Sequence, residues 1–425
     1  MEQFIVEGGY PLRGVLRPAG NKNAALPMLA AALLADEPVV LQNVPEIDDV
    51  RVMLRLLERL GVEVEQGDHT VRLWARDPQA SALDPDLCRR IRTSLLLAGP
   101  LLARCGSAVL GLPGGDTIGR RRNDTHLLAL RALGAEVEVS DSQYSFRTDR
   151  LRGAEIFLDE ASVTGTEQAM LAACTAEGTT VIRNAASEPH VQDLGHFLNA
   201  LGACIHGIGS NRLEIRGVPR LHGGTYRIMS DHMEVGSFIG LAAITGSEVL
   251  IKDAVPEHLH MTSMVFQRLG VQTEVRGPDI FVPGGQELRV ESDAHGGILK
   301  IDDGPWPAFP SDLMSIALVV ATQAEGTVLI FEKMFESRLF FVDKLIGMGA
   351  RIVLCDPHRA VIIGRSPLHG EELASPDIRA GMALLTAALC ARGTSVIQNV
   401  GQIDRGYERI EERLAAVGAR IRRTG

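Results

Sequence analysis

Residues 56–65 read LLERLGVEVE. Leu56, Leu57 and Leu60 carry the three-to-four spacing of a helix near its end, and Val62 and Val64 then alternate with Glu63 and Glu65 as a half-buried strand does. Gly61 is the joint between the two periods. The phrase returns as LALRALGAEVEV (128–139), FLNALGACIHG (197–207), FQRLGVQTEV (266–275), LIGMGARIVL (345–354) and LAAVGARIRR (414–423). Its glycines, Gly61, Gly134, Gly202, Gly270, Gly349 and Gly418, lie 68 to 79 residues apart, a nearly constant period.

A second phrase precedes each copy. It is an alanine- and leucine-rich helix, a small turn, then a β-branched strand: AALPMLAAALLADEPVVLQNV, SLLLAGPLLARCGSAVLGLP, EQAMLAACTAEGTTVIRNA, GSFIGLAAITGSEVLIKD, MSIALVVATQAEGTVLIFE and GMALLTAALCARGTSVIQNV. These helices are apolar on nearly all sides, which implies burial, and strands such as TVLIF have sheet composition. A hairpin usually closes the unit, as in VEVEQGDHTVRLWA with Gly67-Asp68 at its turn. With a linking strand from the unit before, each repeat reads βαβαββ. Six such units predict two α/β domains of three repeats each rather than an open solenoid. The boundary is expected near residues 226–230, giving one domain over 22–229 and a second made of 1–21 plus 230–425. The opening strand, QFIVEGGYPLRGVLRP, has no helix of its own before Lys22 and is expected to complete the sixth unit's sheet. The chain then crosses between domains twice, which predicts a hinge and a cleft that shuts on substrate.

A net charge of −10 argues against broad nucleic-acid or anionic-membrane binding, so any anion site must be a local cluster of cations. Aromatics at 4% offer no base-stacking platform. The six cysteines show no C-x-x-C spacing and read as reduced residues of a cytoplasmic protein. No histidine pair has helical metal-ligand spacing, and neither metal nor cofactor is expected. The N-terminus lacks a basic start followed by an apolar core, and no apolar run reaches the length of a membrane span.

Unusual charges collect in corresponding loops of the repeats. The loop before each buried helix holds Lys22 and Asn23, Arg92, Ser162 to Thr164, Asp231 and Glu234, Asp312, and Asp377 with Arg379. The loop before the second helix holds LPGGDTIGRRR (112–122) in unit two, Arg338 in unit five and Arg405 in unit six. Equivalent helix starts gather at one face and favour anions. Each residue alone has a structural account: Lys22 as a solvated cation, Arg405 paired with Glu408 or Asp404, Asp312 as a helix cap. The placement of all of them on matching loops points to function.

GNKNAALPMLAA, LPGGDTIGRRR, AEGTTVIRNAASEP, FPSDLM, ESRLFF, DIRA and IDRGYERIEERL resemble the UDP-N-acetylglucosamine enolpyruvyl transferase family, and the resemblance spans the whole chain. It implies two inside-out α/β barrel-like domains, each of three βαβαββ units. It implies transfer of the enolpyruvyl group of phosphoenolpyruvate to the 3-hydroxyl of UDP-N-acetylglucosamine, the first committed step of peptidoglycan precursor synthesis. Addition–elimination needs a base for the hydroxyl, an acid for C3 and cations for two anionic groups. By matching motif, Lys22, Asn23, Arg121, Arg338, Arg379 and Arg405 would bind phosphoenolpyruvate. Asn23, Arg92, Arg121, Arg122, Asn123, Asp124, Thr125, Ser162, Val163, Thr164, Asp312 and Met334 would bind the sugar nucleotide. Asp312 would be the base and Asp116 the acid, with Lys22 and Arg405 also catalytic.

The chain departs from the family pattern at several places. Asp116 stands where cysteine is usual, which predicts insensitivity to fosfomycin, an epoxide that alkylates that thiol. Glu160 replaces a lysine, Thr164 a glycine, Leu96 an aromatic and Arg122 a proline, which leaves the acceptor less defined than the donor. Arg122 would make up for the charge lost at Glu160. The alternatives are the same transfer to another UDP-sugar or nucleotide, or a non-catalytic nucleotide-binding paralogue.

Overall fold

The recurring glycine has one structural job in all six copies. Gly61, Gly134, Gly202, Gly270, Gly349 and Gly418 all adopt positive φ, between 84° and 101°. At the first, the Gly61 N–H donates to the Glu58 carbonyl (3.0 Å) and the Val62 N–H to Leu57 (3.1 Å). The same pair of bonds follows each helix, for example Gly418 to Ala415 (3.0 Å) and Ala419 to Leu414 (3.0 Å). This is the left-handed helix stop in which the residue after the glycine folds back onto the last turn. A side chain at the glycine would cost roughly 1–2 kcal/mol. The buried partners Val62 with Leu57 and Val271 with Phe266 explain why the glycine is followed by Val or Ala in all six copies.

The computed structural model describes residues 2–79, 82–115, 118–119 and 121–425. The chain divides into two compact units, one running up to Ala19 and resuming at Ser230–Gly425, the other Gly20–Gly115 with Arg121–Met229. Each has its own hydrophobic core. In the unit completed by the C-terminal half, the helices His232–Ile244, Ser311–Gln323 and Ile378–Cys390 pack on one another at the centre. Nearly every residue of these helices is buried, because the sheets surround them. The other unit buries Lys22–Ala31, Ala98–Cys105 and Val163–Ala173 in the same way. Helices inside and sheets outside is the inverse of an ordinary α/β layer, and it is why those helices lack a polar face.

Five of the sheets have four strands with a shared topology. A linking strand runs parallel to the first strand of the unit, whose other edge takes the last strand of the hairpin. In the first sheet Gly224–Arg227 pairs parallel with Val39–Gln42, which pairs antiparallel with Thr70–Trp74, followed by Glu63–Gly67. The second sheet, Ser107–Gly111, Gln143–Arg147 and Glu136–Val139, has three strands among the described residues. The N-terminus is split between two sheets. Gln3–Gly8 lies between Gly393–Gln398 and Arg420–Thr424 in the sixth, whereas Arg13–Leu16 runs parallel to Glu248–Ile251 in the fourth.

An asparagine corner follows three of the first strands. Asn43, Asn184 and Asn399 share φ 58°, and their amides donate to the carbonyls of Ile228 (3.0 Å), Leu158 (2.9 Å) and Ser375 (2.8 Å). Asparagine tolerates the left-handed region, and here it ties the end of the linking strand to its parallel neighbour. Cys88 and Cys174 are buried, but Cys355 is exposed on an edge strand. Among the described residues no helix is long and apolar enough to cross a membrane.

Candidate active site

In the unit completed by the C-terminal half, three arginine- and carboxylate-bearing loops converge on Asp312. This residue sits in the first turn of Ser311–Gln323 but does not cap it; Pro310 is the N-cap. Its Oδ2 accepts from Nε of Arg379 (2.9 Å) and its Oδ1 from Nη2 of Arg338. Both arginines are almost fully buried, at 5% and 8% exposed. Arg379 is held at the start of Ile378–Cys390, where Asp377 caps the helix by accepting from the N–H groups of Arg379 (2.8 Å) and Ala380 (2.9 Å). Its Nη1 also donates to the Tyr407 hydroxyl (3.3 Å), which contacts Ser237 Oγ (3.0 Å). Burial alone would push this guanidinium down, but the Asp312 carboxylate, with Tyr407 and Asp231 beside it, holds it well above its ordinary value.

Arg338 is the unfinished member. Its Nε and Nη1 are buried and have no hydrogen-bond acceptor among the described residues. Unpaired buried donors on a charged group are costly, and an anion beside them would relieve that cost. Arg405 is half-buried at the end of Gly401–Asp404 and donates to Gln402 Oε1 (3.1 Å). Asp404 itself is engaged by Arg423 (2.6 Å). Met334 is 41% exposed, and its N–H donates to Glu332 Oε1 (3.2 Å).

In the other unit Lys22 opens Lys22–Ala31, with Asn21 as the cap through its side chain. The Lys22 ammonium is not a solvated cation: it pairs with Asp49 at 2.6 Å and its side chain is only 11% exposed. Asn23 is the next residue of the helix and half-buried. Arg92 starts a 3-10 helix, Arg92–Leu97, and its Nη2 donates to the Arg122 carbonyl (2.5 Å). Burial and the charge of Arg121 push Arg92 down to about 10. Arg122 turns instead to two carboxylates, Asp159 (2.7 Å) and Asp124 (3.2 Å), and Thr125 Oγ1 donates to the other oxygen of Asp159 (2.9 Å). Its charge is therefore used by these acids. Asn123 donates to the Tyr144 hydroxyl (3.1 Å).

Ser162 caps Val163–Ala173 by accepting from the Gly165 N–H (3.2 Å). Thr164 Oγ1 lies 2.9 Å from Nε2 of the buried His126. Burial, with Arg92 nearby, drops that imidazole to about 3, so it stays neutral. The glycine pair before Asp116 has strict steric reasons. A Cβ on Gly114 would fall 1.7 Å from the Arg89 carbonyl oxygen, and Gly115 has φ +109°. Asp116 itself, like Arg120, lies outside the described residues.

The structure thus unites Asp312, Arg338 and Arg379 around one carboxylate, and Arg92, Arg121 and Arg122 around one loop. Asp49, Tyr407 and Glu332 escaped the sequence reading. Asp49 had a signal in the doubled acid of EIDD at a helix start; Tyr407 and Glu332 had none beyond lying inside conspicuous phrases.

A protein-family profile described as EPSP synthase (3-phosphoshikimate 1-carboxyvinyltransferase) matches residues 6–414. The UDP-N-acetylglucosamine 1-carboxyvinyltransferase of Bradyrhizobium diazoefficiens is 59% identical over 422 residues, covering 99% of this chain and 98% of that protein. The chain belongs to the carboxyvinyltransferase family. The enzyme of the same name from Treponema denticola is 57% identical over 99% of both chains. The crystal structure of the enolpyruvyl transferase NikO from Streptomyces tendae superposes with a TM-score of 0.88 at 26% identity, covering 100% of this chain and 99% of that one. Carboxyvinyl transfer is a reaction between anions, and the open donors of Arg338 fit that chemistry.

Proposed function

We propose that the chain transfers the enolpyruvyl group of phosphoenolpyruvate to the 3-hydroxyl of UDP-N-acetylglucosamine, releasing phosphate, in peptidoglycan precursor synthesis. The full-length similarity to enzymes of that name supports the acceptor. The observation that carries the site reading is Arg338, buried beside Asp312 with two donors open to an anion. Arg338 and Arg379, with Arg405, Lys22, Asn23 and Arg121, hold the carboxylate and phosphate of the donor. Arg92, the 121–125 segment and the 162–164 loop take the nucleotide, with Asn23, Asp312 and Met334 at the sugar.

In the addition step Asp312 accepts the proton of the attacking hydroxyl, the new C–O bond forms at C2, and Asp116 protonates C3. Elimination removes a proton from C3 and expels phosphate from C2. Asp116 is the acid by its loop position, in place of the usual thiol; desolvation must raise its pKa against the nearby arginines.

The test is phosphate release from phosphoenolpyruvate with and without UDP-N-acetylglucosamine. Acceptor-dependent release is expected. Release with another UDP-sugar but not this one would move the assignment to that acceptor, and no release with any would exclude catalysis.

A further inference from the structure

Directly behind the Asp312–Arg338 contact lie two carboxyl side chains that the reaction does not use, Asp303 and Glu332, both with no solvent exposure. Glu332 follows the strand Gly326–Phe331 and begins the loop that carries Met334 and Arg338. Its Oε1 accepts from the N–H groups of Met334 (3.2 Å) and Phe335 (3.2 Å), and both its oxygens lie 3.0 Å from Ser311 Oγ. Ser311 is the residue before Asp312. One side chain therefore grips both the loop of Arg338 and the helix start of the base. Asp303 completes the grip from the other side, accepting from the Lys333 N–H (2.5 Å).

Asp303 accepts from the N–H of the residue next to Glu332, which places the two buried acids side by side, and Asp303 Oδ2 finds no donor among the described residues. Two neighbouring buried carboxylates cannot both be ionised at little cost, whereas one proton held between them would satisfy both. We propose that Asp303 and Glu332 are a proton-sharing pair that positions Asp312 against Arg338, so that losing the shared proton loosens the loop and slows turnover. The inference rests on the reading of Asp312 as base.

The surrounding charges fix the direction. Burial and the Asp303 carboxylate push Glu332 up to about 9; Arg338 and the Ser311 hydroxyl pull the other way without prevailing. The Lys333 ammonium is drawn off to Asp302 (2.7 Å), and the His358 ring meets the Glu332 carbonyl oxygen (2.8 Å) rather than its carboxyl. Glu332 therefore keeps its proton at neutral pH and loses it as the pH rises through the alkaline range.

The experiment compares Glu332→Ala, Glu332→Gln and Asp303→Asn with the unaltered enzyme in pH profiles of kcat and of KM for both substrates. Glu332→Ala strips the two N–H groups and Ser311 of their acceptor, and kcat should fall by tenfold or more, roughly, with the smaller change in KM. Glu332→Gln keeps an acceptor oxygen and supplies a donor to Asp303, so it should recover most of that loss. It should also abolish the alkaline fall in kcat, as should Asp303→Asn. An infrared band of a protonated carboxylic acid, lost at high pH and missing from Glu332→Gln, should accompany this. An unchanged alkaline limb in Glu332→Gln, or no such band, overturns the proposal. Inactivity of the unaltered enzyme with a normal carboxylic acid band would sink the assignment of the reaction while leaving the shared proton standing.

Discussion

Arg338 offers the sharpest measurement. It is 8% exposed, and one of its nitrogens is spent on Asp312 while Nε and Nη1 have no acceptor among the described residues. An anion reaching one of these positions would make a charge-assisted hydrogen bond worth about 1.5–3 kcal/mol net. That is roughly tenfold to a hundredfold in kcat/KM for phosphoenolpyruvate. Arg338→Ala should lose that factor. Arg338→Lys keeps the charge but not the planar fork, and should fall between the two. The variant leaves Asp312 paired with Arg379, so the carboxylate is not stranded in either case. The assay is initial-rate phosphate release, varying phosphoenolpyruvate at saturating acceptor and then the reverse, with circular dichroism as the check on folding. A loss confined to the acceptor's KM, or less than about fivefold in kcat/KM for the donor, would refute the assignment; fivefold is only about 1 kcal/mol, less than one such bond.

Fosfomycin should not inactivate the unaltered enzyme in time-dependent assays; Asp116→Cys should keep turnover and become sensitive, whereas Asp116→Ala should lose most activity. Gly114→Ala forces a Cβ to within 1.7 Å of the Arg89 carbonyl oxygen, so the loop must shift, and kcat should fall with little change in the urea midpoint. Asp231 is fully buried in its unit and raised to about 6, chiefly by that burial. Its folded value exceeds its unfolded one, so its contribution to stability is complete below about pH 4 and is lost as pH rises through 6. The loss is up to about 3 kcal/mol, and Asp231→Asn, which keeps the capping oxygen, should flatten urea midpoints across that window. Asp49→Asn should leave Lys22 buried without its carboxylate partner and raise the KM for phosphoenolpyruvate, read in the same initial-rate assay.

The fold was legible because its repeated element obeys a local rule. A glycine at positive φ with an apolar residue after it ends a helix wherever it occurs, so six copies leave the same mark. The buried helices were equally visible, since a helix surrounded by sheets has no solvent side on which to keep polar residues. The N-terminal strand was only half legible. QFIVEG was assigned to the sixth sheet and lies there, but RGVL joins the fourth, and nothing in the run QFIVEGGYPLRGVLRP marks that exchange except Gly9 and Pro11. The asparagine corners passed unnoticed because an Asn after a strand suggests a turn of many kinds. Only the parallel linking strand, more than a hundred residues away for Asn43, gives that amide its acceptor.

The site was legible as a list of charges and illegible as a set of pairings. Nothing in FPSDLM, ESRLFF and DIRA says that one carboxylate serves two arginines, since 26 and 67 residues separate Asp312 from them. Pairing decides the chemistry. Arg122, which the sequence offered as compensation for Glu160, is taken by Asp124 and Asp159, so its charge adds little to any nucleotide site. Lys22, which could have been a surface cation, is largely buried and held in place by Asp49. Arg338 keeps two donors in reserve. A guanidinium that is charged, buried and incompletely bonded costs stability, so Arg338 is where an arriving anion would gain most.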